Sequence, residues 1–514
     1  MGANRLCISE DRGDTWRLTP DLTQNLDRDK LPIFGAPTTS KTLSRYDGED
    51  GYSELTTVAE SPSKAGILWT GADDGALSVS KDDGKTWTRV EQNVSGLPKN
   101  TYVSRVVPSH FADGRCYVSF DGHRTGDFTP YVYVTEDFGV TWTKISGSLP
   151  QFHTVSVIRE HPRAEKLLFV GTERGLWVSV DRGARWRQVE EPLPTVPIED
   201  IQIHPRDNDL ILATHGRGVY ILDDIGHLEA LANRTKDGEP IISHPRPAVH
   251  YRLANLKGVT GHKIYIAPNP TQGALVAFWI PKTPSDPDKV SLSVRDSRGK
   301  VIRTLGIAEP HAGWNRITWD LRRSLNTGTP DAPPAGGPGG GGGFGGGFRA
   351  RGPRVAPGTY GLELDVEGQK LKSAVTVQDD PRLPLSARDL STLYSTQEKL
   401  ASLYERASVL RADLEARRNK LPATGDARKP FNDLLARLVP TANRPQRPAP
   451  PTDPDAEGEP APPPPPTPAI LSRISQLLAR LDNFTEAPSK ASLSDLSEVE
   501  KDLKAVERDA KKIK

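Results

Sequence analysis

The chain has 514 residues, with 67 Lys plus Arg against 66 Asp plus Glu and a formal net charge of +1. That balance excludes the basic excess of a nucleic-acid or anionic-membrane binder, and no apolar run reaches the roughly 18 residues of a membrane span. Hydrophobic residues make up only 35%, beside 45 Gly and 46 Pro, which implies many turns and biased linkers.

The first residues, MGANRLCISEDRG, lack a basic segment followed by an apolar one, so no signal peptide is expected there. Cys7 and Cys116 are the only cysteines. No CxxC or Cys/His set has zinc spacing, so no metal is expected and both thiols are read as free.

An eight-residue box then recurs along the first half: SEDRGDTW at 9–16, SKDDGKTW at 80–87, TEDFGVTW at 135–142 and SVDRGARW at 179–186. Its aspartates (Asp11, Asp82, Asp137, Asp181) suit hairpin corners, where a carboxylate accepts from the turn's own N–H groups. Its glycines (Gly13, Gly84, Gly139, Gly183) supply the backbone freedom of the corner. Its tryptophans (Trp16, Trp87, Trp142, Trp186) open the outgoing strand and pack between sheets. The box is read as structural, not catalytic.

Ahead of the boxes lie short apolar strands such as ELTTVAESP (54–62), ILWTGADDG (67–75) and TVSVIREHP (154–162). Each unit is a four-stranded antiparallel meander of about 45 residues with insertions, which predicts a β-propeller over 1–228. Three units are full and two partial. Either the chain is part of a longer propeller, or its ends complete a small ring, alone or with a partner chain.

These boxes resemble the Asp-box (BNR) repeat of bacterial neuraminidases, xyloglucanases and the sortilin family. The wider pattern is similar to that of bacterial secreted BNR-repeat glycosyl hydrolases and sortilin-like proteins. The resemblance implies that the box lies between the third and fourth strands of each blade, away from the ligand face. It also implies a secreted or cell-envelope location.

After Asp224 the pattern changes. Alternating strands between about 240 and 380 (KIYIAP, LVAFWIP, VSLSVRDSRGKVIRTL, GTYGLELDVEGQ) predict an immunoglobulin- or fibronectin-like β-sandwich. A Gly-rich run at 334–352 is read as a flexible loop, since no strand-to-helix context supports a nucleotide site. No cofactor is expected. From 386 to 514 the apolar period becomes helical: Leu390, Leu393, Leu400, Leu403, Ala407, Leu410 and Leu414 form one stripe, with Ser386 and Asp389 as an N-cap pair. A Pro-rich stretch, 444–468, reads as an extended linker.

Chemistry is expected on the face opposite the boxes. The long connection before the second unit supplies Arg45, Tyr46, Asp47 and Asp50, and the loop FDGHRTGDFTPY supplies Asp121, His123, Arg124 and Asp127. Shorter turns give Ala72–Gly75, Glu173 with Arg174, and His215 with Arg217. Arg and His suit carboxylates or hydroxyls, and Tyr46 suits stacking on a sugar. The main reading is an extracytoplasmic module binding glycan or protein on that face. Alternatives are a glycoside hydrolase of sialidase or xyloglucanase type, for which no complete catalytic set can be mapped, and an assembly scaffold.

Overall fold

The computed structural model describes residues 4–43, 45–46, 51–189, 193–234, 238–251, 272–327, 351–383, 385–422, 426–439, 468–483 and 486–513. The strand expected at KIYIAP, the Gly-rich run up to residue 350 and the Pro-rich stretch up to residue 467 lie outside the described residues. The chain divides into two compact units, Met1–Ser243 and His244–Lys514.

The first unit is a row of Asp-box blades. Blade 1 contributes two short strands, Cys7–Ile8 and Arg17–Leu18. Blade 2 is a complete antiparallel meander of Leu55–Glu60, Leu68–Ala72, Leu77–Ser80 and Thr88–Arg89. Blade 3 repeats it with Tyr102–Pro108, Cys116–Asp121, Tyr131–Thr135 and Thr143–Lys144. Blade 4 follows with Val155–Glu160, Leu168–Thr172, Gly175–Ser179 and Arg187–Gln188. Blade 5 has three strands, Ile198–Ile203, Leu210–Thr214 and Gly218–Leu222, and is followed by a helix, Gly226–Ala232.

First strands of adjacent blades touch, which places them at the common axis. A bulge recurs near the start of each first strand, between Leu55 and Thr57 in blade 2 and between Val155 and Val157 in blade 4. Bulged residues leave the ladder and turn aside. In blade 2 this aims the Thr56 hydroxyl at the Val103 carbonyl, 2.7 Å away. In blade 3, Ser104 does the same to the Val155 carbonyl at 2.8 Å.

Apolar side chains fill the junctions. Between blades 2 and 3 lie Trp69, Leu77, Val103, Val106 and Phe120, with Trp142 packed against them. Tyr117, Val132, Ile158 and Val170 fill the next junction. Phe169, Leu176, Ile198 and Ile201 fill the one after it. Cys116 is buried and Cys7 exposed, and both are free.

All four boxes have one geometry. In the second, Gly84 N–H donates to the Ser80 hydroxyl (2.8 Å), which donates to Asp82 (2.9 Å). The Thr86 amide and hydroxyl both donate to the same carboxylate, at 2.8 and 2.6 Å. The Trp87 indole donates back to the Gly84 carbonyl at 3.1 Å. The fourth box departs locally. Arg185 replaces the threonine and its Nε donates to Asp181 (3.1 Å), while the Trp186 indole donates to Ile145 O at 2.7 Å. In every box the residue before the glycine has positive φ although it is not glycine: Arg12 (62°), Asp83 (63°), Phe138 (60°) and Arg182 (59°). The last three of these side chains reach the preceding blade. Asp83 takes the Arg17 guanidinium (3.2 Å), the Phe138 ring lies 5.1 Å from Lys81 Nζ, and Arg182 pairs with Glu136.

The second unit is a β-sandwich joined to a helical bundle. Ala274–Ile280 pairs with Gly313–Trp319 in one sheet. In the other, Ala248–His250, Gln369–Asp379, Gly358–Val366, Val290–Arg295 and Val301–Gly306 lie side by side, the first pair parallel. Alternate residues such as Val276, Phe278, Leu292, Val294 and Leu364 are buried, giving the period-two pattern of a sandwich face. The helices are Ala387–Asn419, Lys429–Leu438, Ile470–Asn483 and Lys490–Ala510. Ser386 accepts from the Asp389 amide (3.2 Å) and donates to its carboxylate (2.7 Å), a reciprocal cap. Leu393, Leu400, Leu403, Ala407 and Leu414 are buried against the other three helices. Arg323 of the sandwich grips the long helix through Glu398 (2.8 Å) and Glu405 (2.6 Å).

Candidate functional site

Turns of an antiparallel meander alternate between its two ends. The boxes join strands three and four, so the turns joining strands two and three emerge at the opposite end. The long connection from blade 1 to blade 2 emerges there too. This end of blades 2 and 3 carries a cluster of buried charge and aromatic rings.

Arg124 is its centre. It lies on the short helix His123–Thr125, which follows the second strand of blade 3. Its guanidinium sits 4.1 Å from the ring centroid of Tyr102, the first residue of that blade. Its charge also acts on Tyr52 and Asp73 of the neighbouring blade. Two further stacks stand in the connecting segment, Arg28 over Tyr52 at 4.9 Å and Arg45 over Tyr46 at 4.7 Å. They are joined by a hydrogen bond from Arg28 Nε to the Arg45 carbonyl, 3.1 Å, and Arg45 pairs with Asp29. A side chain placed on Gly126 would meet the Phe34 ring at 3.5 Å, so the exposed tip of the connection lies against this loop.

The carboxylates differ in state. Burial raises Asp73 to about 6, with Asp74 and Glu54 adding to the rise and the Glu54 amide and Arg124 opposing it. Asp73 Oδ1 accepts that amide at 2.8 Å. Asp74 is fully buried and holds the connecting segment through the Gln24 amide (2.6 Å). Burial also pushes Tyr52 up to about 12, reinforced by Asp73 and relieved in part by Arg28. Tyr102 is raised by burial against the opposing charge of Arg124.

Asp121 accepts from the His123 amide (2.9 Å) and lies 2.6 Å from His123 Nδ1. For Asp127, burial alone would raise the carboxyl, but the Tyr131 hydroxyl and Thr129 amide outweigh it and hold it low. Those bonds, 2.7 and 3.0 Å, make Asp127 a brace for its own loop. His215 is exposed and faces Glu199 of its own blade at 3.6 Å, and Arg217 is exposed beside it. Neither has a described contact with the Arg124 cluster. Asp47 and Asp50 lie outside the described residues. Tyr52, Tyr102 and Arg28 are the cluster members that were not singled out from the sequence. Asp73 belongs to the turn Ala72–Gly75, which the sequence already assigns to this end of the blade. Among the described residues no group of three His, Cys, Asp or Glu is placed to hold a metal. No described helix is long and apolar enough to cross a membrane.

Residues 130–239 match the model of the Sortilin-Vps10 family, described as sortilin, neurotensin receptor 3. A comparison with curated proteins finds no match. Among solved structures the chain is similar to the GH74 xyloglucanase from Xanthomonas campestris, at 16% identity over 62% of this chain and 49% of that one, TM-score 0.29. It is similar to PorZ, a surface component of the type-IX secretion system of Porphyromonas gingivalis, at 13% identity over 66% and 47%, TM-score 0.27. It is also similar to YCF48 bound to D1 peptide, at 14% identity over 43% and 59%, TM-score 0.28. The chain therefore spans about half to three-fifths of these structures. The repeated meander with its four boxes makes the first unit an array of Asp-box propeller blades, similar over residues 130–239 to the Sortilin-Vps10 family.

Proposed function

We propose that this chain is an extracytoplasmic binding module that captures a protein segment on the propeller face opposite the Asp boxes. The observation that carries it is Arg124, whose guanidinium is stacked on Tyr102 beside Asp73 and Tyr52. A guanidinium is a planar, charged donor suited to a carboxylate or a backbone carbonyl. Three tyrosine rings here carry an arginine on one face, at 4.1, 4.7 and 4.9 Å. That covers the surface a sugar would stack on and favours a polypeptide over a glycan. The extracytoplasmic part of the reading is supported by the match to a family named for a receptor.

The test is selection of a random displayed-peptide library against the full chain, beside a glycan array. Peptides are expected to be retained, and Arg124→Ala should weaken the selected clones at least about tenfold, as loss of a charge-assisted contact does. Retention that ignores Arg124→Ala, or glycan binding alone, would reject this reading.

One observation favours a second reading, glycoside hydrolysis. A carboxyl raised to about 6 is poised as a general acid near neutral pH. Turnover of xyloglucan that disappears in Asp73→Asn would replace the binding reading with this one.

A further inference from the structure

Blades 2, 3 and 4 end in a fourth strand that is built alike each time. The segments are Trp87-Thr88-Arg89-Val90, Trp142-Thr143-Lys144-Ile145 and Trp186-Arg187-Gln188-Val189. Each has an aromatic residue, two polar ones and a β-branched aliphatic one. The amide of the aliphatic residue donates to a fixed carbonyl of the third strand: Val90 to Leu77, Ile145 to Val132 and Val189 to Leu176, each at 2.9 Å. The polar residues pair beside it, Thr88 with Val79 and Arg89 with Ser78 in blade 2. Val90 and Ile145 are buried.

Among the described residues, blade 5 carries the third strand of this arrangement without the fourth. Strand pairing puts Val219 in the place of Leu77 and Leu176, and Ile221 in that of Val79 and Val178. The Val219 carbonyl therefore points out of the sheet edge, as those of Leu77 and Leu176 do. Val219 is 64% exposed and Ile221 60%, where blade 2 keeps Leu77 at 0% and Val79 at 2% under its fourth strand and blade 3. An edge of this kind is a template for another strand. The corner that returns the chain in the other blades is altered here. Leu222 stands where Ser80 stands, so the hydroxyl that accepts from the box glycine is missing. The Gly226 amide donates to Asp224 (3.0 Å), and the chain leaves as the helix Gly226–Ala232, which Glu229 ties to Arg163 of blade 4.

We propose that the open edge of blade 5 takes up an extended segment of another polypeptide as its fourth strand. The segment runs antiparallel to Gly218–Leu222 and carries the order this chain itself uses in that place: aromatic, polar, polar, β-branched aliphatic. Main-chain bonds to the strand give attachment, and alternate side chains give selection. The aliphatic residue lies beside Val219, and the residue two before it lies beside Ile221 on the same face. The residue between them lies opposite Tyr220. Blade 3 sets Lys144 opposite Tyr133 in the corresponding place, so a basic residue suits it. The strand Gly218–Leu222 has no described contact with the Arg124 cluster, and this inference does not rest on the reading of that cluster.

The experiment is hydrogen exchange read by mass spectrometry on the full chain, with and without a synthetic peptide copying residues 84–92, GKTWTRVEQ. At about 1 mM peptide, exchange across 215–223 should slow at least about threefold. The same peptide carrying Val90→Pro lacks the amide that blade 2 uses and should leave exchange unchanged. Val219→Pro in the chain removes the strand's own outward amide, at an edge place where proline is tolerated, and should abolish the slowing. Arg124→Ala should keep it, which separates this edge from the Arg124 face. No slowing with the parent peptide overturns the inference. So does equal slowing by the proline peptide, or slowing that disappears in Arg124→Ala. The pair of peptides decides the matter even where Val219→Pro unfolds the chain.

Discussion

Trp142 of the third Asp box meets Trp69 of the preceding blade edge to face, with ring centroids 6.2 Å apart and planes at 79°. Trp69 is fully buried and Trp142 closes the outer end of the junction. Trp142→Ala should cost about 2 to 3 kcal/mol, combining lost apolar burial with a lost aromatic pair. Urea unfolding of the full chain followed by circular dichroism measures it, and an unchanged midpoint would assign the junction's stability to the aliphatic residues alone.

As pH falls, the box carboxyls should be among the last in the folded chain to take up a proton. Hydrogen bonds from Thr15 hold Asp11 down to about 2, and those from Thr86 do the same for Asp82. A carboxyl lower in the folded chain than in the unfolded one adds stability that is full above the unfolded value. That stability is lost as pH falls through the folded value. The melting temperature should therefore drop between roughly pH 4 and pH 2. In Asp11→Asn with Asp82→Asn that drop should flatten, with a lower plateau at neutral pH.

Asp73 predicts the opposite slope. Burial raises it to about 6, above its unfolded value, so the folded chain holds this proton longer than the unfolded chain. Its ionisation weakens the fold progressively as pH rises from about 4 through 6. Asp73→Asn keeps an acceptor for the Glu54 amide and removes the charge. It should stabilise the chain by about 1 to 2 kcal/mol at pH 8, after allowance for solvent screening, and by almost nothing at pH 4. Melting curves at the two pH values decide this.

The helix after blade 5 is fastened by one carboxylate. Glu229 accepts from Asn208 (2.7 Å) and Arg163 (2.8 Å) and lies 3.0 Å from the buried His161 Nε2. The Arg163 amide donates to His161 Nδ1 at 3.1 Å, which leaves Nε2 as the protonated nitrogen. Glu229→Ala should release Gly226–Ala232, and hydrogen exchange there should rise at least about tenfold while blades 2 and 3 stay protected.

The sequence disclosed most where partners are close along the chain. Each box closes on itself within seven residues, so Asp11 disclosed its corner locally, although its partner Thr15 was not singled out. Ser386 and Asp389 did so for the helix cap, and the Leu393–Leu414 stripe did so for the bundle. The Arg124 cluster was less legible. It depends on how a long connection folds back over two blades, which no local spacing encodes. Tyr102 opens a strand and resembles a core residue until Arg124 is seen above it. His123 and Asp127 stood out as polar loop residues, and both make bonds inside their own loop.

The left-handed residue of each box has a consequence for how a repetitive chain keeps its order. Local geometry there is held by the flanking Asp and Gly, so the identity of the side chain is left to vary. The fold uses that freedom differently each time: a carboxylate facing a guanidinium at Asp83, a ring facing an ammonium at Phe138, and a guanidinium facing a carboxylate at Arg182. Near-identical modules thus carry unlike keys, each matched to the module before it. An exchange of two blades would set Arg182 beside Lys81, or Asp83 beside Glu136, so the array proofreads its own sequence of parts through a residue the repeat does not specify.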